Sequence, residues 1–243
     1  MNAVEQYKKA LSIDPLFVPA YDGLGKVYFR MGFRDEADRE FAIADGLEKL
    51  KEDPGDLEAA VKMGWAMMNK NLHRHVVALL DPILKLNPRH PDLLKIMGLS
   101  YKSLGNDKAA RQLLKTGVER WPKDPDFYQH LGGLEIKSGN REEGERLNNI
   151  SRLISKIQAD PMDMESRVEL ARLFMARNLY NEAAEYLRQA VSLDKEKSDY
   201  WYVLGECYQK AGLMPAAVDA LKQAAKYAPV DPKPHKLISR LYQ

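Results

Sequence analysis

A ruler of 34 residues runs through this chain. From Gly98, in KIMGLSYKSLGNDKAARQLL, the small residues Gly64 and Gly132 lie 34 positions before and after. Ala171 stands 39 beyond Gly132, Gly205 another 34 on, and Ser239 34 further; backwards from Gly64, 39 positions reach Gly25. Other columns keep the same register. Three residues after each small residue come Tyr28, Met67, Tyr101, Glu135, Phe174, Tyr208 and Tyr242. Twelve after come Ala37, Val76, Ala110, Gly144, Ala183 and Ala217, and nineteen after come Ala44, Ile83, Gly117, Ser151, Ala190 and Ala224. Pro88, Pro122 and Pro229 close three of the units. A unit of this length cannot bury its apolar face alone and must stack on its neighbours.

Within each unit the apolar residues recur at three- and four-residue spacing, which predicts two amphipathic helices. The small columns let those two helices approach closely. Gly or Asn marks the turn between them, as in Gly105-Asn106, Gly139-Asn140 and Gly212. Pro after the second helix stops it, because Pro cannot continue the hydrogen-bond ladder. The spaced residues Trp201, Leu204, Gly205, Tyr208, Ala217, Leu221, Ala224 and Pro229 carry a resemblance to the tetratricopeptide repeat. The resemblance covers essentially the whole chain. It implies an all-α, right-handed superhelical solenoid with a concave groove. The expected organisation is one solenoid over residues 1–243. A second-helix half repeat occupies 1–17, and a closing helix occupies 232–243. Between them lie full repeats at about 18–56, 57–90, 91–124, 125–163, 164–197 and 198–231. Starting in mid-repeat is expected of an excised fragment or of a capping helix.

Three departures qualify the pattern. Two units are five residues long in excess, before Pro54 and before Pro161. Leu47 and Leu50, then Ile154 and Ile157, continue the apolar stripes there, so both insertions read as extra helix. The fourth repeat has Glu135 and Asn148 in columns that should be apolar, which predicts unusual packing. The second has Val76 and Ile83 where small residues are expected, and Pro82 inside its second helix predicts a kink.

In the family it resembles, the first helix of each unit lines the groove. In the second repeat Ala60, Met63 and Met67 form the core stripe, while Val61, Trp65 and Met68 form another stripe roughly 115° round the helix. Leu99, Ile136, Val168, Met175 and Tyr202 fall in equivalent columns. An apolar groove patch implies a partner, and Trp is the residue type most enriched at binding hot spots. The competing reading packs Trp65 against the lengthened second helix before it. The remaining groove columns are basic: Lys26, Arg30, Lys95, Lys102, Lys137, Arg172, Lys210, Lys236 and Arg240 stand against Asp22 and Glu206. The expected ligand is a protein or peptide segment with mixed acidic and apolar residues. The expected contacts are Val61, Trp65, Met68, Lys95, Leu99, Lys102, Ile136, Lys137, Arg172, Met175, Tyr202, Lys236 and Arg240. Self-association through the same groove is a second option. Lys236 and Arg240 match a basic pair that some family members use to clamp a partner's terminal carboxylate. Val168, Arg172 and Val203 stand where that clamp requires Lys and Asn, so the clamping activity does not transfer.

Nothing points to chemistry. The GLGK at 23–26 lacks the spacing and the Lys-Ser/Thr ending of a phosphate loop. His73 and His75 have no ligand-type residue at metal spacing, and the lone Cys207 reads as a structural thiol. No catalytic residue, metal or cofactor is expected, and the reading is not an enzyme. A net charge of +2 gives no bulk argument for nucleic acid, and aromatics are scarce among the basic columns. Basic solenoids can nonetheless track a phosphate backbone, and an accessory region of a larger enzyme is a third reading. No apolar run is long enough to span a membrane and no signal-peptide core is visible, so a soluble, cytoplasmic chain is the favoured localisation.

Overall fold

The computed structural model describes residues 3–242. Among them are fourteen helices and no strand. The helices fall into two compact units, Met1–Trp121 and Pro122–Gln243. Unit 1 holds α1 (Ala3–Ile13), α2 (Val18–Arg30), α3 (Arg34–Glu52), α4 (Leu57–Asn69), α5 (His73–Leu86), α6 (Pro91–Ser103) and α7 (Asp107–Arg120). Unit 2 holds α8 (Pro125–Lys137), α9 (Arg141–Ala159), α10 (Met164–Ala176), α11 (Tyr180–Leu193), α12 (Ser198–Lys210), α13 (Met214–Tyr227) and α14 (Pro232–Leu241). Consecutive helices pack within each unit, and α4 also packs on α6, as α10 does on α12.

Small residues set the distance between paired helices. A Cβ added at Gly64 would fall 2.8 Å from Leu80 Cδ1 and 3.1 Å from Ile96 Cδ1, so α4 has no room for a side chain there. The tightest pair joins α8 and α9. A Cβ at Gly144 would lie 2.7 Å from Gly132 O and 3.0 Å from Ile136 N, both backbone atoms that cannot swing away. Around these contacts the core is filled by large side chains. In unit 1 they include Tyr21, Ile43, Met63, Met67, Leu80 and Leu93. In unit 2 the ring of Phe174 stands 6.4 Å from Tyr128 and 5.9 Å from Tyr186.

The turns follow the ruler as well. Positive φ occurs at Gly32, Asn71, Gly105, Gly139, Asn178 and Gly212. Only Gly, and less comfortably Asn, occupies this left-handed region without a Cβ clash.

Both five-residue insertions are helix. α3 and α9 have 19 residues each, whereas α5, α7, α11 and α13 have 14. In α9 the extra turn buries Ile154 and Ile157 and carries Lys156 to the start of the next helix. There Lys156 Nζ pairs with Asp163 Oδ2 at 2.7 Å and donates to Ser166 Oγ at 3.0 Å. Asp163 is the N-cap of α10 and also accepts from Ser166 N at 2.9 Å. These donors, Lys156 foremost, hold its carboxyl down at about 2.

The odd residues of repeats 2 and 4 have local explanations. α5 runs as one helix through Pro82, with Val76 and Ile83 buried in the core. Glu135 accepts from Asn140 Nδ2 at 2.7 Å and so fastens the α8–α9 turn. Asn148 lies directly over Gly132, in the space a Cβ would need.

Gly144→Ala is expected to destabilise unit 2 by about 1–3 kcal/mol, since the clash is with backbone; urea unfolding of variant and parent measures it. Because the Asp163 carboxyl is depressed, its contribution is present above the ordinary carboxylate value of ~4 and lost as pH falls through about 2. Asp163→Asn is therefore expected to lower stability at neutral pH, with the gap to the parent closing across that acid window in pH-dependent melts.

Candidate partner-binding faces

The first helices were expected to present the binding residues, and the structure divides that set. In unit 1, Val61, Trp65 and Met68 on α4 are all half-buried and pack against the core cluster that holds Met63, Met67, Ile96 and Met97. The indole is thus neither fully sunk nor free-standing. It belongs to a half-covered apolar stripe beside α6, whose Lys95, Leu99 and Lys102 are also half-exposed. Lys26 on α2 is matched by Asp22 in an i,i+4 pair, so it adds no net charge to this face.

In unit 2, Met175 does not belong to an accessible surface. It is 7% exposed and Val168 is 9% exposed; both lie in the core on α10, which packs against α11 and α12. Ile136, 39 residues earlier in the same column, is 42% exposed, and its Cγ1 covers the bare backbone of Gly144. Lys137 and Arg172 are exposed, as are Lys236 and Arg240, which stand four residues apart on α14. Tyr202 on α12 is half-buried; burial pushes its hydroxyl upward, and the nearby Glu206 carboxylate adds to the effect. The first-helix residues of unit 2 are thus mainly cationic, whereas those of unit 1 are mainly apolar.

One apolar position was missed. Phe29 at the end of α2 is 60% exposed, and Met31 and Phe33 in the following turn are 53% and 49% exposed. Phe29 stands 39 residues before Met68 on the ruler, so the column already held the signal.

Among the described residues there is no group of three or more His, Cys, Asp or Glu that could hold a metal ion. No helix of the described residues is long and apolar enough to cross a membrane. Gly25 of the GLGK stretch is packed under Phe41, where a Cβ would fall 2.5 Å from Cε1. Cys207 is fully buried, donates to Tyr180 O at 3.4 Å, and burial pushes its thiol up to about 11.

Two family models match the chain: a tetratricopeptide repeat model over residues 174–241 and a TPR repeat model over residues 2–32. Both of these segments are thus tetratricopeptide repeats. Its fold class is all-α, with successive helices packed on one another within each unit. Among curated relatives, the peroxisomal targeting signal receptor of Komagataella phaffii is 22% identical over 159 residues, covering 64% of this chain and 28% of the relative. The general transcriptional corepressor trfA of Dictyostelium discoideum is 25% identical over 100 residues, or 41% of this chain and 7% of that protein. The tetratricopeptide chain thus spans little more than a quarter of the first of these relatives. Among solved structures, the APC/C hetero-tetramer Cut9-Hcn1 aligns with a TM-score of 0.44 at 15% identity, covering 98% of this chain and 45% of the matched one.

The buried thiol has a direct consequence. At about pH 8, iodoacetamide is expected to modify Cys207 in the native chain at least ~10-fold more slowly than in urea, because little thiolate forms at a buried site; mass spectrometry of the time course measures this.

Proposed function

We propose that this tetratricopeptide repeat protein is a non-catalytic scaffold that binds polypeptide segments on its first-helix faces. The reading rests above all on the half-buried stripe Val61–Trp65–Met68 on α4. A large indole held at partial exposure between two flexible or branched apolar neighbours loses little entropy on binding and offers a wide contact. Leu99 on α6 extends that apolar surface. On the unit 1 face Lys95 and Lys102 orient a ligand; on the unit 2 face Lys137, Arg172, Lys236 and Arg240 do so around Ile136 and Tyr202. The fitting ligand has apolar anchors and carboxylates, as an amphipathic acidic helix or an extended acidic segment does. Relatives named as receptors for a targeting signal support a binding role.

Nucleic acid is the second reading, carried by the exposed cations of α10 and α14. The two differ in salt response. A phosphate backbone gives a steep loss of affinity with salt, whereas apolar anchoring on Trp65 gives a shallow one.

Partners captured from the source cell and identified by mass spectrometry supply the ligand for titration. Trp65→Ala is expected to weaken binding by ~2 kcal/mol or more with helicity intact, and Arg172→Glu to slow association more at low salt than at high. Unchanged affinity in a folded Trp65→Ala chain removes the α4 stripe from the site.

A further inference from the structure

The second helices carry a feature that the first-helix reading does not use. In each unit a hollow opens between two successive second helices, floored by the first helix between them. In unit 1 it lies between α5 and α7 over α6, with a volume of about 460 Å³. In unit 2 it lies between α11 and α13 over α12, with a volume of about 560 Å³. The two are built at matching positions 107 residues apart: Leu84 with Val191, Leu94 with Trp201, Leu113 with Ala220. The hollow itself is therefore a product of repeat geometry and says nothing about a ligand. The rims do, because they have diverged.

The unit 2 hollow is rimmed by Arg188 and Asp219, one charge of each sign, and Arg188 Nη1 also reaches Tyr208 Oη at 3.4 Å. The unit 1 hollow is rimmed by Lys85, Arg89 and Arg120, with no carboxylate among its lining side chains. Lys85 is matched by Asp81 at 2.6 Å. Arg89 and Arg120 are exposed, and among the described residues neither guanidinium is paired with a carboxylate. Beside them is a second hollow of about 510 Å³ that shares Pro88 and Arg89 with the first and is walled by Trp121. That indole is 44% exposed and is anchored by its Nε1 donating to Arg89 O at 3.1 Å. An aliphatic floor, an exposed anchored indole and two unmatched guanidinium groups thus lie together on the second-helix side of unit 1.

We propose that the hollow between α5 and α7 is a second docking site, for an acidic segment of another protein. An aliphatic or aromatic side chain of that segment seats between the half-buried Leu84 and Leu113, and its carboxylates pair with Arg89 and Arg120. Charge complementarity selects this occupant: guanidinium groups bind carboxylates in a fixed fork geometry, and the floor between them rewards an apolar knob. Two unmatched cations over an aliphatic floor suit a peptide better than a nucleic acid, which draws its affinity from many phosphate contacts. The site shares no residue with the α4 stripe and stands or falls separately from it.

The test uses the full 15N-labelled chain and three probes: an amphipathic Glu/Leu peptide of about 20 residues, the same peptide with Glu replaced by Gln, and a single-stranded DNA of about 20 nucleotides. The acidic peptide is expected to shift amides of α5, α6 and α7 and to bind roughly tenfold or more tightly than the Gln peptide. Arg89→Glu with Arg120→Glu is expected to remove at least that tenfold, and Arg89→Gln with Arg120→Gln to give a smaller loss in the same direction. Both arginines are exposed, so helicity and melting should be kept. Equal affinity of parent and charge-reversed chains, shifts confined to α4 and α6, or binding of the DNA without the acidic peptide would each overturn the proposal.

Discussion

The close approach of paired helices is the constraint on which the rest depends. Where Gly132 faces Gly144, two backbones meet with no side chain between them. Gly64 instead takes the side chain of Leu80 into the space of its missing Cβ. Helices held so near one another can place a large side chain on the line of contact only opposite a small residue, as Phe41 lies opposite Gly25 and Leu221 opposite Gly205. Other large side chains go to the flanks, where they fill the seams between one hairpin and the next. The core of each unit is accordingly a run of seams rather than a single centre, and every first helix has a flank that its neighbours cover only in part. The stripe of Val61, Trp65 and Met68 is such a flank.

The two long helices show how a repeat can be modified without losing register. Each adds a turn at the end of a second helix, and each is tied to the first helix that follows it. Lys70 at the end of α4 pairs with Glu40 on α3, and Arg177 at the end of α10 pairs with Glu143 on α9. Tyr21 and Tyr128, again 107 residues apart, are both buried, and Lys70 lies 5.5 Å from the Tyr21 ring centroid. The correspondence fits an ancestral duplication of three repeats. It also shows which features survive divergence: the buried tyrosine, the basic residue and the cap, but not the surface. Trp65 and Arg172 occupy the same column, as do Leu94 and Trp201.

Surface divergence on a common frame gives each unit two differently lined sides. The first-helix side is apolar in unit 1 and cationic in unit 2. The second-helix side carries hollows whose shapes match and whose rims differ. Rim residues can diverge without disturbing the stacking, because the close helix contacts that set it lie elsewhere.

How much of this was legible depended on whether a property is local. Helix number, the turns at Gly105, Gly139 and Gly212, the added turn in α3 and α9 and the small-residue contacts all follow from spacing, since backbone sterics and period act over a few residues. The bond of Glu135 to Asn140 was not legible, because it is a turn contact that column logic does not contain. The second-helix hollows were invisible, since each needs three helices to form. Exposure was the hardest property of all. Ile136 and Met175 share a column, yet one is 42% exposed and the other 7%. The sequence by itself determined which face of each helix those two residues occupy. Only the tertiary structure decided that α11 and α12 close over one while the other is left open, because accessibility is a property of the neighbours and not of the residue.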